Sequence, residues 1–258
     1  MNGLHRDALL SAIGVTKRFA GITALDAVSI DVAEREIVGL IGPNGAGKTT
    51  FFNCLLGMLK PDAGAVRFAG RDLSRVPTHR RARLGIGRTF QRIELFTGMT
   101  PRDHLLVAER VRRGDGALWK DIIGRGKPTA DEQEEAERTL ELLGLSAVAD
   151  RKVEALSLGV GRLVELGRAL MTQPRLLLLD EPSSGLDRDE TELLAATLRD
   201  VQDERQMAIL LVEHDVEFVR SLVSRVFVLD FGTLIASGTT NEVFADAAVR
   251  RAYLGEMV

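Results

Sequence analysis

Residues Gly42 to Thr49 read GPNGAGKT, which fits G-x-x-x-x-G-K-[ST]. EIVGLI, Glu36 to Ile41, is a short apolar run directly before it, and TTFFNCLLGML follows. A buried strand, a glycine loop and a helix in that order constrain the fold more than any other stretch. The backbone N–H groups of the loop and of the helix N-terminus point at one place, and the helix end carries positive partial charge. Phosphate is the anion that such a cradle fits. Gly42, Gly45 and Gly47 permit a tight loop with no side chains in the way. Lys48 places a positive charge on the β- and γ-phosphates of a nucleotide, and Thr49 supplies a hydroxyl for Mg²⁺. Pro43, Asn44, Ala46 and Thr50 complete the binding stretch. A plain glycine turn would require neither the lysine nor the strand–helix context.

LLLLDE, Leu176 to Glu181, is the second piece. An apolar strand ending in two carboxylates puts acid at the carboxyl edge of the sheet, where ligands of open α/β folds bind. Asp180 suits Mg²⁺, usually through water. Glu181 can face an attacking water as general base. A solvated acidic turn before Pro182 is the bland alternative, and the phosphate loop weighs against it.

Around these motifs the chain alternates apolar strands with helices, which argues for a mainly parallel sheet covered on both faces. RLLLLD (Arg175 to Asp180), MAILLVEHD (Met207 to Asp215) and RVFVLD (Arg225 to Asp230) are the further strands. Residues from about Leu9 to Val32 read as antiparallel strands turning at Gly21, and AVRFAG (Ala65 to Gly70) as another strand. The helix after Thr49 should stop at Lys60-Pro61. The middle, about Phe90 to Lys152, is charged, with loop punctuation at RRGDG and GRGKP. Thr129 and Glu132 predict a capping box behind Pro128, and Gly144 a C-cap. Such a segment reads as a helical insertion in an α/β body.

Composition narrows the class. The 258 residues are 45% hydrophobic and 28% charged with a net charge of −3, which gives an ample core and no basic excess for nucleic acid. Cys54 is the one cysteine, so no intramolecular disulfide forms and a reducing compartment fits. No apolar run approaches the roughly 18 residues of a membrane span. The N-terminal stretch reads as a strand and not as a signal peptide. The expected location is therefore cytoplasmic, with any membrane role supplied by a partner. The basic stretch THRRARLGIGRTFQR (Thr78 to Arg92) lacks interleaved aromatics before Phe90. Arg80, Arg81, Arg83, Arg88 and Arg92 are expected on a solvated helix face.

Taken together, the chain resembles the nucleotide-binding subunit of ATP-binding-cassette (ABC) proteins over nearly its whole length. The family's parts occur in order: GPNGAGKTT, RTFQ with Gln91, LSLGV, LLLLDEP, a D-loop at SSGLD (Ser183 to Asp187), and LLVEHD with His214. The resemblance implies an α/β P-loop NTPase fold: a mainly parallel core sheet, an N-terminal antiparallel β-subdomain and an inserted α-helical subdomain. The chain would be one nucleotide-binding domain, 1–258, with the helical part at about 90–152 plus the signature region to about 172. A helical tail would cover about 240–258. It implies ATP and Mg²⁺ as cofactors, with Gln91 contacting Mg²⁺ and water and sensing a transmembrane partner. His214 would contact the γ-phosphate. Phe19, in VTKRF, would stack on adenine, unless it is simply a core residue of its strand.

The family's signature usually reads LSGGQ. Here Leu156, Ser157 and Gly159 match, Leu158 and Val160 depart, and Arg162 stands where LSGGQ-x-R would have it. The signature of one subunit caps the γ-phosphate of ATP on the other in a head-to-tail dimer. By this resemblance Ser157 and Gly159 would carry that role here. The serine hydroxyl and backbone donors survive the changes, although Leu158 restricts the backbone more than glycine would.

The implied function is ATP hydrolysis in an ABC transporter, peripheral on the inner face of the cell membrane. Partners would be a second ABC ATPase in a homodimer or heterodimer, separate transmembrane permease subunits and, indirectly, a solute-binding protein. No nucleic acid partner is expected. RTFQRIELF and RAYLGE resemble ATPases of bacterial branched-chain amino acid importers. Urea and amide importers and the lipopolysaccharide export ATPase are similar. A soluble regulatory ABC ATPase and a P-loop kinase remain as other classes.

Overall fold

The long apolar strands of this chain are buried on both sides, so one sheet separates two cores. The computed structural model describes residues 8–89, 94–113 and 128–254. The described chain opens with β1 (Leu10–Phe19) and β2 (Ile22–Val32). They are joined by Ala20 and Gly21, both at positive φ, as a primed hairpin turn requires. With β4 (Ala63–Phe68) and β5 (Arg71–Asp72) they form an antiparallel sheet in the order β2-β1-β4-β5. The main sheet holds β3 (Ile37–Ile41), β6 (Ile86–Arg88), β7 (Leu176–Asp180), β8 (Ala208–Glu213), β9 (Arg225–Asp230) and β10 (Thr233–Thr239). Its order is β10-β9-β3-β8-β7-β6, parallel except for β10, which runs antiparallel to β9.

Strand residues alternate between the two faces. Val38, Leu40, Leu176, Leu178, Leu210 and Phe227 share one core with Phe51 and Phe52 of α1 (Lys48–Leu56) and with the antiparallel sheet. Leu177, Leu179, Ile209, Leu211, Val226 and Val228 share the other. That second core is closed by α3 (Pro101–Arg113), α4 (Ala130–Leu142), α5 (Leu158–Leu170), α6 (Arg188–Arg205) and α7 (Val216–Leu222). The chain also forms α2 (Thr78–Arg83), α8 (Thr240–Ala245) and α9 (Ala247–Leu254). Cys54 lies in the first core, where burial pushes its thiol up to about 11, so it packs as an inert apolar group.

The capping box at Thr129 is present: the Thr129 N–H donates to Glu132 Oε2 at 2.8 Å and Glu132 N–H donates back to Thr129 Oγ1 at 3.3 Å. Gly144 lies just past the helix end, where Leu145 N–H donates to the Leu140 carbonyl at 2.7 Å in a Schellman arrangement. RRGDG and GRGKP fall largely outside the described residues.

Two expectations are corrected. α1 ends at Leu56, short of Lys60-Pro61, because Gly57 takes a left-handed conformation and Met58 N–H closes back on the Asn53 carbonyl at 2.9 Å. The basic stretch is not one solvated face. Arg80 and Arg83 are exposed, whereas Arg81 is buried. Its guanidinium donates to the carbonyls of Val76 at 2.9 Å, Leu73 at 2.7 Å, Cys54 at 3.0 Å and Leu55 at 2.6 Å. The fork thus joins the end of α1 to the β5–α2 connection. Arg92 lies outside the described residues.

Arg81→Ala should strand several buried carbonyls at once. A stability loss of about 3 kcal/mol is expected in urea unfolding. Arg81→Lys should recover only part of it, because an ammonium lacks the planar fork. Unchanged stability in Arg81→Ala would show that water replaces the guanidinium.

Candidate nucleotide site

Parallel register assembles the site. Ile41 pairs with Glu213 across β3 and β8, and Asp180 pairs with Val212 across β7 and β8. The segments leaving these strands therefore start at one carboxyl edge: the Gly42 loop, Glu181 and His214. An open α/β sheet offers its ligand crevice there.

The glycine loop is folded tightly against β9. Gly42 has φ 152°, and a Cβ there would sit 2.0 Å from the Leu229 carbonyl oxygen. No other residue fits that approach. Ala46 is buried and pinned, accepting from Gly232 N–H at 3.0 Å while its own N–H donates to the Pro43 carbonyl at 3.2 Å. Gly47 caps α1, whose first-turn amides lack carbonyls four residues back. Lys48 is only 6% exposed, and its ammonium donates to the carbonyls of Gly42 at 2.6 Å and Pro43 at 3.0 Å. Asn44, Gly45 and Thr49 face outward; Pro43 and Thr50 are half-buried.

The two acids differ. Asp180 is 3% exposed, and burial pushes its carboxyl above the ordinary carboxylate range. Arg88 of β6 opposes this from 3.4 Å, and the neighbouring Glu181 adds to it. Arg88 was expected on the solvated face; it is half-buried against the acid instead. Glu181 holds a left-handed backbone with φ 49°. For a non-glycine residue that costs about 1 kcal/mol or more, and such strain clusters at functional sites. The conformation is held from both sides: Glu181 N–H donates to the Val212 carbonyl at 2.9 Å, and its carbonyl accepts from Ser184 N–H at 3.1 Å.

Glu213 was missed in the sequence. It is completely buried and accepts from Ser183 N–H at 2.9 Å and Ser183 Oγ at 2.7 Å. Its second oxygen accepts from His214 N–H at 3.0 Å. One carboxylate thus joins the loop after Glu181 to the exposed His214. A charged residue ending the apolar run LLVEHD was the available signal.

Phe19 is 42% exposed at the end of β1, with the Lys17 ammonium 5.4 Å from its ring centroid. It is not a core residue. Gln91 lies outside the described residues. Ser157 caps α5, accepting from Val160 N–H at 3.3 Å. Leu158 takes an ordinary helical conformation as the first residue of α5, so its greater restriction relative to glycine has no cost there. Arg162 reaches the Ser184 carbonyl at 3.3 Å, tying α5 to the D-loop.

A parallel sheet with a glycine loop, a lysine and an acidic pair at its carboxyl edge defines a P-loop nucleotide-hydrolysing protein. Residues 25–184 match the family described as ABC transporter, and residues 233–258 match the one described as branched-chain amino acid ATP-binding cassette transporter. The high-affinity branched-chain amino acid transport ATP-binding protein LivG of Salmonella typhimurium is 40% identical over 96% of this chain and 98% of its own. BraF of Pseudomonas aeruginosa, with the same description, is 38% identical over the same shares. The lipopolysaccharide export system ATP-binding protein LptB of Haemophilus influenzae is 33% identical over 96% of this chain and 98% of its own. The ADP conformation of the ATP-binding cassette MJ1267 superposes with a TM-score of 0.84 at 32% identity, covering 96% of this chain and 99% of that one. The chain belongs to the ABC transporter family, as its ATP-binding, ATP-hydrolysing subunit. Such subunits work with separate membrane permease components, and no helix among the described residues is long and apolar enough to cross a membrane.

Glu213→Leu should leave the Ser183 and His214 donors unpaired. ATP turnover should fall about tenfold or more, with a smaller change in nucleotide affinity, since the P-loop lies on another strand. Glu213→Gln, which keeps an acceptor on one side only and turns its amide N–H groups toward the donors on the other, should recover only part of the activity. Equal kinetics for wild type and Glu213→Leu would remove this carboxylate from the site.

Proposed function

We propose that this chain energises the import of branched-chain amino acids, working as a head-to-tail ATPase dimer on the inner face of the cell membrane. The observation that carries the chemistry is the shared carboxyl edge at which the Gly42 loop, Asp180, Glu181 and His214 begin. In this reading the loop amides of Gly42, Pro43, Asn44, Gly45, Ala46, Gly47, Lys48, Thr49 and Thr50 surround the phosphates, with proline giving only its shape. The Lys48 ammonium exchanges its carbonyl partners for β- and γ-phosphate oxygens. Phe19 offers a ring face to adenine. Thr49 and Asp180 are the hard oxygen donors that Mg²⁺ favours, with Gln91 as a further ligand. Bound there, the ion would neutralise charge on the β- and γ-oxygens.

Glu181 accepts a proton from the water that attacks the γ-phosphorus. The bond from that phosphorus to the β–γ bridging oxygen breaks, and ADP leaves as phosphate forms. His214 holds the γ-phosphate. Ser157 and Gly159 of the facing subunit cap it, using a hydroxyl and an amide at a helix N-terminus. The open, mostly apolar groove lined by Gly87, Thr89, Phe96, Val107, Val111 and Arg168 suits a membrane subunit, and Thr89 precedes Gln91 by two positions. We assign residues from about 90 to 152, with the signature region to about 172, to a helical subdomain and about 240–258 to a C-terminal helical tail.

The solute assignment rests on the relatives' descriptions and on the match at residues 233–258; an indirect partner, through the membrane subunits, would be a solute-binding protein. Deleting the gene should abolish uptake of radiolabelled leucine, isoleucine and valine, and the wild-type chain should restore it. Intact uptake in the deletion would reject the solute. Glu181→Gln should keep ATP binding, lose turnover about 10²–10⁴-fold and accumulate an ATP-bound dimer, because the amide cannot accept the proton. Sedimentation and phosphate release measure this. Wild-type turnover would remove Glu181 from the role.

A further inference from the structure

The donors that Ser157 and Gly159 would offer to a γ-phosphate are already engaged within this chain. Ser157 Oγ donates to Glu190 Oε1 at 3.1 Å, and Gly159 N–H donates to the same oxygen at 3.2 Å. Glu190 belongs to the first turn of α6, 31 residues away from Gly159. Its backbone N–H donates to Asp187 Oδ1 at 2.9 Å, and its Oε2 accepts from Asp187 N–H at 3.4 Å. One carboxylate therefore closes the capping box of α6 with one oxygen and occupies the start of α5 with the other. The approach is close: a Cβ on Gly159 would lie 2.7 Å from Glu190 Oε1. An anionic oxygen that accepts one O–H and one N–H at a helix N-terminus makes the contacts a phosphate oxygen would make there.

We propose that Glu190 is an internal competitor for the signature. It occupies Ser157 and Gly159 in an unpaired subunit, and the γ-phosphate of ATP on the facing subunit must displace it. The proposal rests on the reading that Ser157 and Gly159 cap ATP across the dimer. Two anionic oxygens cannot share these donors without repulsion, so the carboxylate sets a threshold on ATP-driven closure. The exchange also reaches the D-loop, because Glu190 holds Asp187 and Arg162 of the same helix α5 holds the Ser184 carbonyl. Capture of phosphate by the signature thus alters a contact that anchors Asp187.

The test uses the full chain carrying Glu181→Gln, so that ATP binding and dimer formation are read without turnover. The ATP concentration for half-maximal dimer formation is measured by sedimentation, alone and with Glu190→Gln or Ser157→Ala added. Glutamine can serve at the third position of a capping box, so Glu190→Gln should fold, which its thermal midpoint checks. Glu190→Gln is expected to lower the half-maximal ATP concentration about tenfold, with ADP affinity of the single subunit unchanged. Ser157→Ala is expected to raise it. If Glu190→Gln leaves it unchanged or raises it while Ser157→Ala still raises it, Glu190 is only a structural link and the proposal is wrong. If Ser157→Ala has no effect, the signature does not cap ATP across a dimer, and both readings fall.

Discussion

The phosphate loop, the acidic pair and the histidine segment meet because β3, β8 and β7 pair in parallel. Parallel strands end on the same side, so their outgoing loops meet without long excursions. The pairing of Ile41 with Glu213 and of Asp180 with Val212 aligns the phosphate loop, the acidic pair and the histidine segment to within a residue. Those strands can be parallel only because both faces are covered, which their continuous apolar composition permits. A polar substitution at Leu178 or Leu210 would therefore act on the site through the sheet and not through contact.

The charged groups of the site are each held by the chain itself. Lys48 rests on two carbonyls, Asp180 faces Arg88, and Glu213 accepts from Ser183 and His214. Burial of an unpaired charge is costly, so each partner offsets desolvation that a bound nucleotide would otherwise have to offset. Nucleotide capture then becomes an exchange of partners rather than a first pairing.

Much of this was legible in the residues. Four apolar runs read as strands and are strands; the capping box at Thr129 is present with both reciprocal bonds. The phosphate loop was readable because its constraint is local: backbone conformation and one lysine suffice. What escaped was nonlocal. Arg81 looked solvated among other arginines, since nothing in THRRAR shows that carbonyls from Cys54, Leu55 and Leu73 converge on it. Arg88 and Glu213 escaped for the same reason, Asp180 lying on β7 and Ser183 in the loop that follows it. Glu190 reads as a helix cap, and only the packing of α6 on α5 brings it to Ser157.

The backbone at Glu181 has a consequence of its own. A left-handed residue is relaxed most cheaply by glycine or asparagine, so the chain would be sturdier without the acid it carries there. Selection for thermal resistance alone would drift away from this glutamate and, on the proposed role of Glu181, would cost turnover. The endurance of the fold and the power of its site are set against each other at a single φ angle.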